Sequence, residues 1–263
     1  MIEHNIRIPR LSLVFVNYRS IFHLSQSLRS LEKEPSSQQE REIIVVNQDV
    51  SERKAMEMLA KQRGFRLIHR ENLGFASGAN AGAKVATGAY IAFLNPDARY
   101  SFGSFESLLN IFETDTEVGL VGATLRDVSG RREHWSRGSF LTIGRLMTNN
   151  LFPKSAFLSR ESVDWVSGGA LFVRRELFLS LGGFSEDFFL YFEDMDLCAR
   201  VLRAGFSVRS SDALSFSHIG GKSFASRQSQ KKYFFDSQRT YFQKHRPFWE
   251  QQLFFFLRMI KIW

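Results

Sequence analysis

The sequence predicts an α/β fold: a mostly parallel sheet flanked by helices, followed by a C-terminal helical extension. Three observations lead there. Short apolar, β-branched runs alternate with stretches of helical character, and parallel neighbours in a sheet need such helical crossovers. Polar residues stand at the ends of three of those runs, Asn17, Asn47–Asp49 and Asn95–Asp97, the edge at which open α/β sheets bind ligands. Finally, 263 residues are enough for one large α/β domain or two small ones.

The elements follow in order. Leu11–Val16 (LSLVFV) reads as a buried strand, with a helix from about Ile21 to Glu32. Pro35 and the polar 36–39 stretch connect it to a second buried strand, Ile43–Val46. A helix over about Glu52–Arg63 is closed by Gly64. Arg66–Ile68 is a short third strand, Tyr90–Leu94 a fourth and Val118–Val121 a fifth. From Asp127 to Arg160 the pattern weakens. Arg131, Arg132, His134, Trp135 and Arg137 lie there in a polar stretch that reads as an excursion over a site. Regularity returns at Val163–Val173, with a helix over Glu193–Ala204 and a strand-like segment ending near His218. Gly220–Gly221 is a natural hinge before the extension.

Composition excludes several classes. An apolar share of 44% with 24% charged residues is a globular balance, not that of a disordered chain. One cysteine excludes an intramolecular disulfide framework and a four-thiolate zinc site. No apolar run approaches the roughly 20 residues that span a bilayer, and Met1–Arg10 lacks the apolar core of a secretory signal. A cytoplasmic protein is the expectation. The net charge of +8 and pI near 9.8 raise nucleic acid or an anionic membrane as partners. The charge is not evenly spread: residues 222–263 carry nine Lys/Arg against Asp236 and Glu250, a net +7, together with 12 aromatic residues. The body is close to neutral and shows no nucleic-acid recognition motif, so nucleic acid is not an expected partner.

Four segments carry candidate chemistry. Asn72–Gly82 packs three glycines and two asparagines into eleven residues. It suits either a diphosphate held at a helix N-terminus or a tight strand–helix turn with close helix–sheet packing. Asn95-Pro96-Asp97 follows a strand and offers an oxygen ligand for Mg²⁺ or Mn²⁺, or a β-turn. Glu193-Asp194-Met195-Asp196 places three acids in a first helical turn, where the helix dipole favours them. The aromatic run Phe188–Phe192 before them suggests a desolvated carboxylate able to act as a general base. Cys198 reads as a small buried hydrophobe.

Taken together and in order, Val16-Asn17-Tyr18, Ile43–Val46, Asn72–Gly82, Phe93–Asp97, Val163–Ala170, Gly182-Gly183-Phe184, Tyr191–Arg200 and His218 resemble the inverting nucleotide-sugar glycosyltransferases of family 2, most closely a rhamnosyltransferase-like branch. The resemblance spans about residues 11–221. It implies the GT-A (Rossmann-like) fold, a nucleotide-sugar donor and a divalent cation. By resemblance, Asp194 is the catalytic base with Glu193 beside it, and Asp97 and His218 serve the metal. The donor side is Asn17, Asn47, Asp49, Asn72, Gly74, Gly78, Asn80 and Asn95; the acceptor side is Trp165, Gly168, Gly169 and Ala170. Two positions depart from the pattern. Asn47 stands where relatives have an Asp that meets the nucleobase, and Asn95 where many have another Asp. An amide keeps a donor and an acceptor but loses the charge.

The resemblance divides the chain into a transferase domain, 1–221, and a basic aromatic extension, 222–263. Within the domain, about 1–122 binds the nucleotide-sugar and about 123–221 carries the acceptor and catalytic part. Its function is then inverting transfer of a sugar, rhamnose from dTDP-rhamnose being the first expectation, to a saccharide or lipid-linked saccharide of the cell surface. A UDP-hexose donor, or a subunit that binds nucleotide-sugar without turnover, are the alternatives. Pro247 divides the extension into two helices, which pack on the catalytic domain, form a homodimer contact or lie on the inner face of the cytoplasmic membrane.

Overall fold

The structure, a computed structural model, describes residues 10–36, 41–151, 163–218 and 227–259. The expected hinge at Gly220–Gly221 and the domain boundary beside it lie outside the described residues.

The core of the fold is an eight-stranded mixed sheet. Its strands are β1 (Leu11–Asn17), β2 (Arg41–Asn47), β3 (Arg66–His69), β4 (Tyr90–Leu94), β5 (Ala98–Gly103), β6 (Val118–Arg126), β9 (Ala170–Arg174) and β10 (Ser207–His218), in the order β3-β2-β1-β4-β9-β6-β10-β5. The first half, β3-β2-β1-β4, is parallel. β9 enters antiparallel between β4 and β6, and β5 closes the far edge antiparallel to β10. A separate two-stranded ribbon pairs β7 (Arg137–Gly138) with β8 (Trp165–Val166).

Alternation along β1 shows why this sequence makes a two-sided sheet. Leu13 and Phe15 face one core, with Leu24 and Leu28 of α1 (Ile21–Ser30), Met56 of α2 (Arg53–Arg63) and Leu108 and Phe112 of α4 (Phe105–Thr114). Val14 and Val16 face the other, with Ala76, Ala79 and Ala83 of α3 (Phe75–Val85), Phe178 of α6 (Arg175–Ser180) and Leu197, Cys198 and Val201 of α7 (Glu193–Arg203). The second core explains part of the glycine-rich block. A Cβ on Gly78 would lie 2.7 Å from Val16, and one on Gly82 2.4 Å from Val14. α3 lies so close to β1 that those turns admit no side chain.

A third cluster joins Ile143 of α5 (Ile143–Leu151), Phe188, Phe192 and Met195 to the C-terminal helices α8 (Arg227–His245) and α9 (Phe248–Met259). Tyr241, Phe242 and Phe254 are buried there, and Phe242 stacks on Phe254 at 4.3 Å with the rings nearly parallel. Glu250 Oε2 accepts the backbone N–H of Ile143, 107 residues away. Thus α8 and α9 are part of the packed molecule. About half of the aromatics of α9 are not used for this: Phe248, Trp249 and Phe256 are exposed.

Replacing Phe254 by Ala removes a ring that is 2% exposed and leaves a cavity under α8. The expected cost is about 3–5 kcal/mol, read as a lower urea midpoint. An unchanged midpoint would contradict the packing described.

Candidate active site

The sheet brings the polar strand ends into one row. Asn17, Asn47 and His69 are register partners at the ends of β1, β2 and β3. Asn17 is fully buried and donates from Nδ2 to Asn47 Oδ1 at 2.9 Å and to Glu52 Oε2 at 2.8 Å. Asn47 Nδ2 donates to the carbonyl of Asp49 at 2.8 Å and lies 3.3 Å from His69 Nδ1. Asp49 Oδ1 accepts the N–H and hydroxyl of Ser51, and its Oδ2 lies 3.7 Å from the Arg19 guanidinium. Asn17, Asn47 and Asp49 therefore meet as one hydrogen-bonded group. Glu52 and His69, which the sequence reading did not single out, complete it.

The glycine-rich block lies beside this row, and its residues are held largely by the protein itself. Asn72 Oδ1 accepts the Gly74 N–H at 3.1 Å. Gly74 has φ +98°, and a Cβ there would lie 2.3 Å from the Phe189 carbonyl oxygen; the Phe75 N–H donates to that same oxygen at 2.9 Å. Gly74 is thus required where the start of α3 meets the aromatic run before α7. Asn80 uses both ends of its amide on the 184–186 turn: it accepts the Phe184 N–H and donates to the Phe184 carbonyl and to Glu186. Close packing accounts for Gly74 and Gly78, and anchoring accounts for Asn80.

At the end of β4, Asp97 and His218 come together. His218 Nε2 lies 3.2 Å from Asp97 Oδ1 and 3.4 Å from Asn95 Nδ2. Its other ring nitrogen, Nδ1, is 3.4 Å from Glu133 Oε2, and Trp135 meets the ring edge-on at 5.3 Å. Burial raises the Asp97 carboxyl, but the hydrogen bond and charge of His218 outweigh it and leave it below the usual carboxylate range. Burial by itself would lower His218; Asp97 and Glu133 together raise it. Burial pushes Glu133 up. Glu133 sits in the excursion whose basic and aromatic residues the sequence marks. Nothing in its spacing distinguishes it from a solvated acid; β10 brings His218 to it from 85 residues further along the chain.

The acidic turn opens α7 in an unusual backbone setting. Tyr191 and Phe192 both have positive φ, 70° and 68°, a conformation that bulky L-residues adopt only when their surroundings impose it. The surroundings do so: Gln230 donates to the Tyr191 hydroxyl, Ser237 donates to the Leu190 carbonyl at 2.7 Å, and Tyr233 stacks on Phe189 at 4.5 Å. Asp194, half-buried, accepts from the Gly168 N–H at 2.9 Å and from its neighbour Met195 N–H at 2.8 Å. Burial raises its carboxyl above the ordinary value, against those two donors. Glu193 is buried, with Oε2 lacking a hydrogen bond; burial and the adjacent Asp194 charge drive its carboxyl well up. One residue beyond Gly168, the Gly169 carbonyl accepts the Asn95 N–H at 3.0 Å. Gly168 and Gly169 thus touch the Asp194 side and the Asn95–Asp97 side at once. Ala170 is buried at the start of β9, opposite Leu94, and Trp165 is held by a hydrogen bond from Nε1 to the Ser139 carbonyl.

The chain has relatives among known proteins. Residues 12–182 match the family described as Glycosyl transferase family 2. The chain belongs to that family. It has the GT-A fold. Among curated relatives, it is 30% identical over 129 residues to the N-acetylglucosaminyl-diphospho-decaprenol L-rhamnosyltransferase of Mycobacterium tuberculosis, covering 44% of this chain and 42% of that one. It is 27% identical over 148 residues to the rhamnosyltransferase WbbL of Escherichia coli, covering 52% and 56%. The chain therefore spans about half the length of the curated relatives it matches. Among solved structures, the mannosyltransferase PcManGT of Pyrobaculum calidifontis, in complex with GDP-Man and Mn²⁺, superposes with a TM-score of 0.61 at 18% identity, over 86% of this chain and 60% of that one. GalNAc-T7, with UDP, GalNAc and Mn²⁺, gives 0.62 at 14% identity, over 82% and 45%. These two likenesses establish the fold of the family 2 glycosyltransferase.

Among the described residues, no group of three or more His, Cys, Asp or Glu converges as a ready-made metal site. The Asp97–His218 pair supplies at most part of a coordination shell. A cavity of about 320 Å³ lies between α7 and α8, lined by Phe140, Arg203, Tyr241, His245 and neighbours, and none of the candidate site residues lines it. Behind the acidic turn, Asp196 Oδ1 meets His245 Nε2 at 2.7 Å and its Oδ2 meets Arg200 at 2.7 Å. Arg203 carries only donors toward His245 Nδ1, so Nε2 carries the proton given to Asp196.

Burial raises the Asp196 carboxyl, but His245 and Arg200 outweigh it and hold it below its ordinary value. A depressed carboxyl stabilises the fold above the unfolded pKa of about 3.9 and loses that contribution as pH falls through the folded value. Asp196→Asn should therefore lower the melting temperature at pH 7, and the gap to wild type should close below about pH 4. A gap that stays constant from pH 7 to pH 3 would count against the pair.

Proposed function

We propose that this glycosyltransferase inverts the anomeric centre of a nucleoside-diphosphate sugar as it passes the sugar to a saccharide hydroxyl, with Asp194 as general base. The observation that carries the reading is the Gly168–Gly169 turn. It orients the Asp194 carboxylate with one residue and holds the Asn95–Asp97 turn with the next. Base and leaving-group side thus stand on the two flanks of one turn, which suits a direct displacement without a covalent enzyme intermediate.

Each group has a task within that reaction. Asp194 accepts the acceptor hydroxyl's proton as the oxygen attacks, a role typically worth about 10²–10⁴-fold. Its partial burial makes the carboxylate more basic, and the Gly168 and Met195 N–H groups fix where it points. Glu193, buried with its carboxyl driven well up, shapes the turn rather than sharing the proton. Asn17, Asn47 and Asp49 form the polar rim for the nucleobase, and Trp165 lies on the acceptor side. A divalent cation, Mg²⁺ or Mn²⁺, on Asp97 and His218 fits the facing of these two residues, and it would neutralise charge growing on the departing diphosphate. The Mn²⁺ complexes of the two GT-A neighbours support that assignment.

The names of the two relatives favour rhamnose as the sugar, and that of the mycobacterial one a lipid-linked saccharide as acceptor; dTDP-rhamnose is then the donor expected ahead of a UDP-hexose. Such an acceptor sits at a bilayer. Among the described residues no helix is long and apolar enough to cross a membrane. α9 is suited to peripheral contact at the inner face: Phe248, Trp249, Phe256 and Met259 are exposed on it, within a 222–263 stretch that carries a net +7.

Asp194→Asn should lower transfer by at least about 10²-fold while nucleotide-sugar binding, measured by calorimetry, survives. Near-wild-type turnover in that variant removes Asp194 from the base role. For the membrane reading, the protein should sediment with liposomes containing phosphatidylglycerol, and Trp249→Ser with Phe256→Ser should release it. Absence of sedimentation, or sedimentation untouched by the two substitutions, sinks the contact.

A further inference from the structure

We infer that the cavity between α7 and α8 binds a phosphate ester with an apolar body, the chemistry of a phospholipid headgroup, and that the Arg203 guanidinium is its anchor. None of the donor, acceptor or cation residues lines this cavity. The inference deepens the membrane contact proposed above by naming a lipid site beside it, and the experiment below reads the two apart.

The lining carries the inference. The cavity holds about 320 Å³, within the range of small-ligand sites. Phe140, Leu202 and Tyr241 give it apolar walls, and Tyr241 stacks on the His245 imidazole at 5.0 Å. Its ionic lining groups are Arg203 and Arg246, with no carboxylate among them. The acids bonded to lining residues are already engaged. Glu250 meets Arg246 at 2.6 Å, Asp196 meets His245 and Arg200 at 2.7 Å each, and Asp164 accepts the Phe140 N–H at 2.9 Å. Arg203 differs. Its one hydrogen-bond partner among the described residues is the lone pair of His245 Nδ1, and no carboxylate pairs with it.

The unspent donors set the ligand. Arg203 gives Nη2 to His245 and keeps Nε and Nη1; Arg246 gives Nε and Nη2 to Glu250 and keeps Nη1. Arg203 is the last residue of α7, and Arg246 follows the last residue of α8. Helix dipoles favour cations at such ends, which accounts for two basic residues but not for their free N–H groups at one cavity. Two guanidinium groups from different helices call for an anion with oxygens in more than one direction. A tetrahedral phosphate offers that, whereas a planar carboxylate occupies a single fork. The apolar walls then take the carbon skeleton attached to it. Phe248 and Trp249, both exposed, follow Arg246 by two and three residues. The cavity thus adjoins, along the chain, the aromatic residues already suited to a bilayer.

The test uses the full chain and dihexanoyl phosphatidic acid, kept monomeric below its micelle concentration, against inorganic phosphate. Calorimetry should show the lipid binding at least about tenfold tighter than phosphate. Arg203→Met should weaken lipid binding about tenfold or more. Lys231→Gln, an equal loss of charge at an exposed position of α8, should leave it unchanged. In wild type, the acyl protons should show nuclear Overhauser contacts to the Phe140 and Tyr241 rings. Those contacts decide the matter if melting shows that Arg203→Met has failed to fold. The inference is overturned by absence of lipid binding, by binding that Arg203→Met leaves unchanged or that Lys231→Gln weakens as much, by phosphate bound as tightly as the lipid, or by absence of contacts to the two rings. Lipid binding by a protein that does not sediment with phosphatidylglycerol liposomes upholds the site and removes only the membrane contact of α9.

Discussion

Gly168 and Gly169 carry the constraint on which the active site depends, because the N–H of the first orients Asp194 and the C=O of the second receives the N–H of Asn95. The turn is placed by β9, whose first residue, Ala170, is in register with Leu94 at the end of β4. An antiparallel strand inserted into a parallel sheet thus delivers a turn to the edge where the parallel strands end. Space is short at Gly169: a Cβ would lie 2.9 Å from Leu125 and 3.3 Å from Asn95 Nδ2, so both side chains would have to shift. Backbone groups do the orienting, and they lose no side-chain entropy in doing so.

The second constraint is strain. Two consecutive bulky residues at positive φ precede α7, each costing on the order of 1–3 kcal/mol. The aromatic cluster formed with α8 and α9 supplies the opposing stabilisation, and the Asp196–His245 pair ties α7 to the end of α8. The C-terminal helices are therefore coupled to the position of Asp194 through packing, although none of their residues lies beside it among the described contacts. Their charge is a surface property, and their buried rings are a structural one.

Much of this was legible in the sequence. Alternating apolar runs located β1, β3, β4 and the start of β6 to within about a residue and β2 to within two, because strands buried on both faces leave continuous apolar stretches. Gly64 ends α2 in the left-handed conformation, and Pro247 separates α8 from α9, as local chemistry requires. β5 was not legible: its exposed edge residues carry no alternation that separates them from a loop. The acidic turn and the Asn-Pro-Asp turn were visible as motifs, whereas Glu133, Glu52 and His69 were not. Their contacts arise from pairs such as Asn17–Glu52 and Glu133–His218, which long-range topology creates and which leave no local pattern. The glycine-rich block was legible as special, but for packing against Val14, Val16 and Phe189 as much as for any ligand.

The Asp196–His245 pair has a consequence for how the protein is made. Its partners are 49 residues apart, and the contact between Ile143 and Glu250 spans 107. A ribosome that has just finished α7 has made Asp194 but not the helices that settle the turn before it. Until α8 and α9 emerge, the 188–195 segment presents bare aromatic rings and a buried-type carboxylate to water. The 188–195 segment therefore reaches its packed conformation only once α8 and α9 have been made and have docked on it.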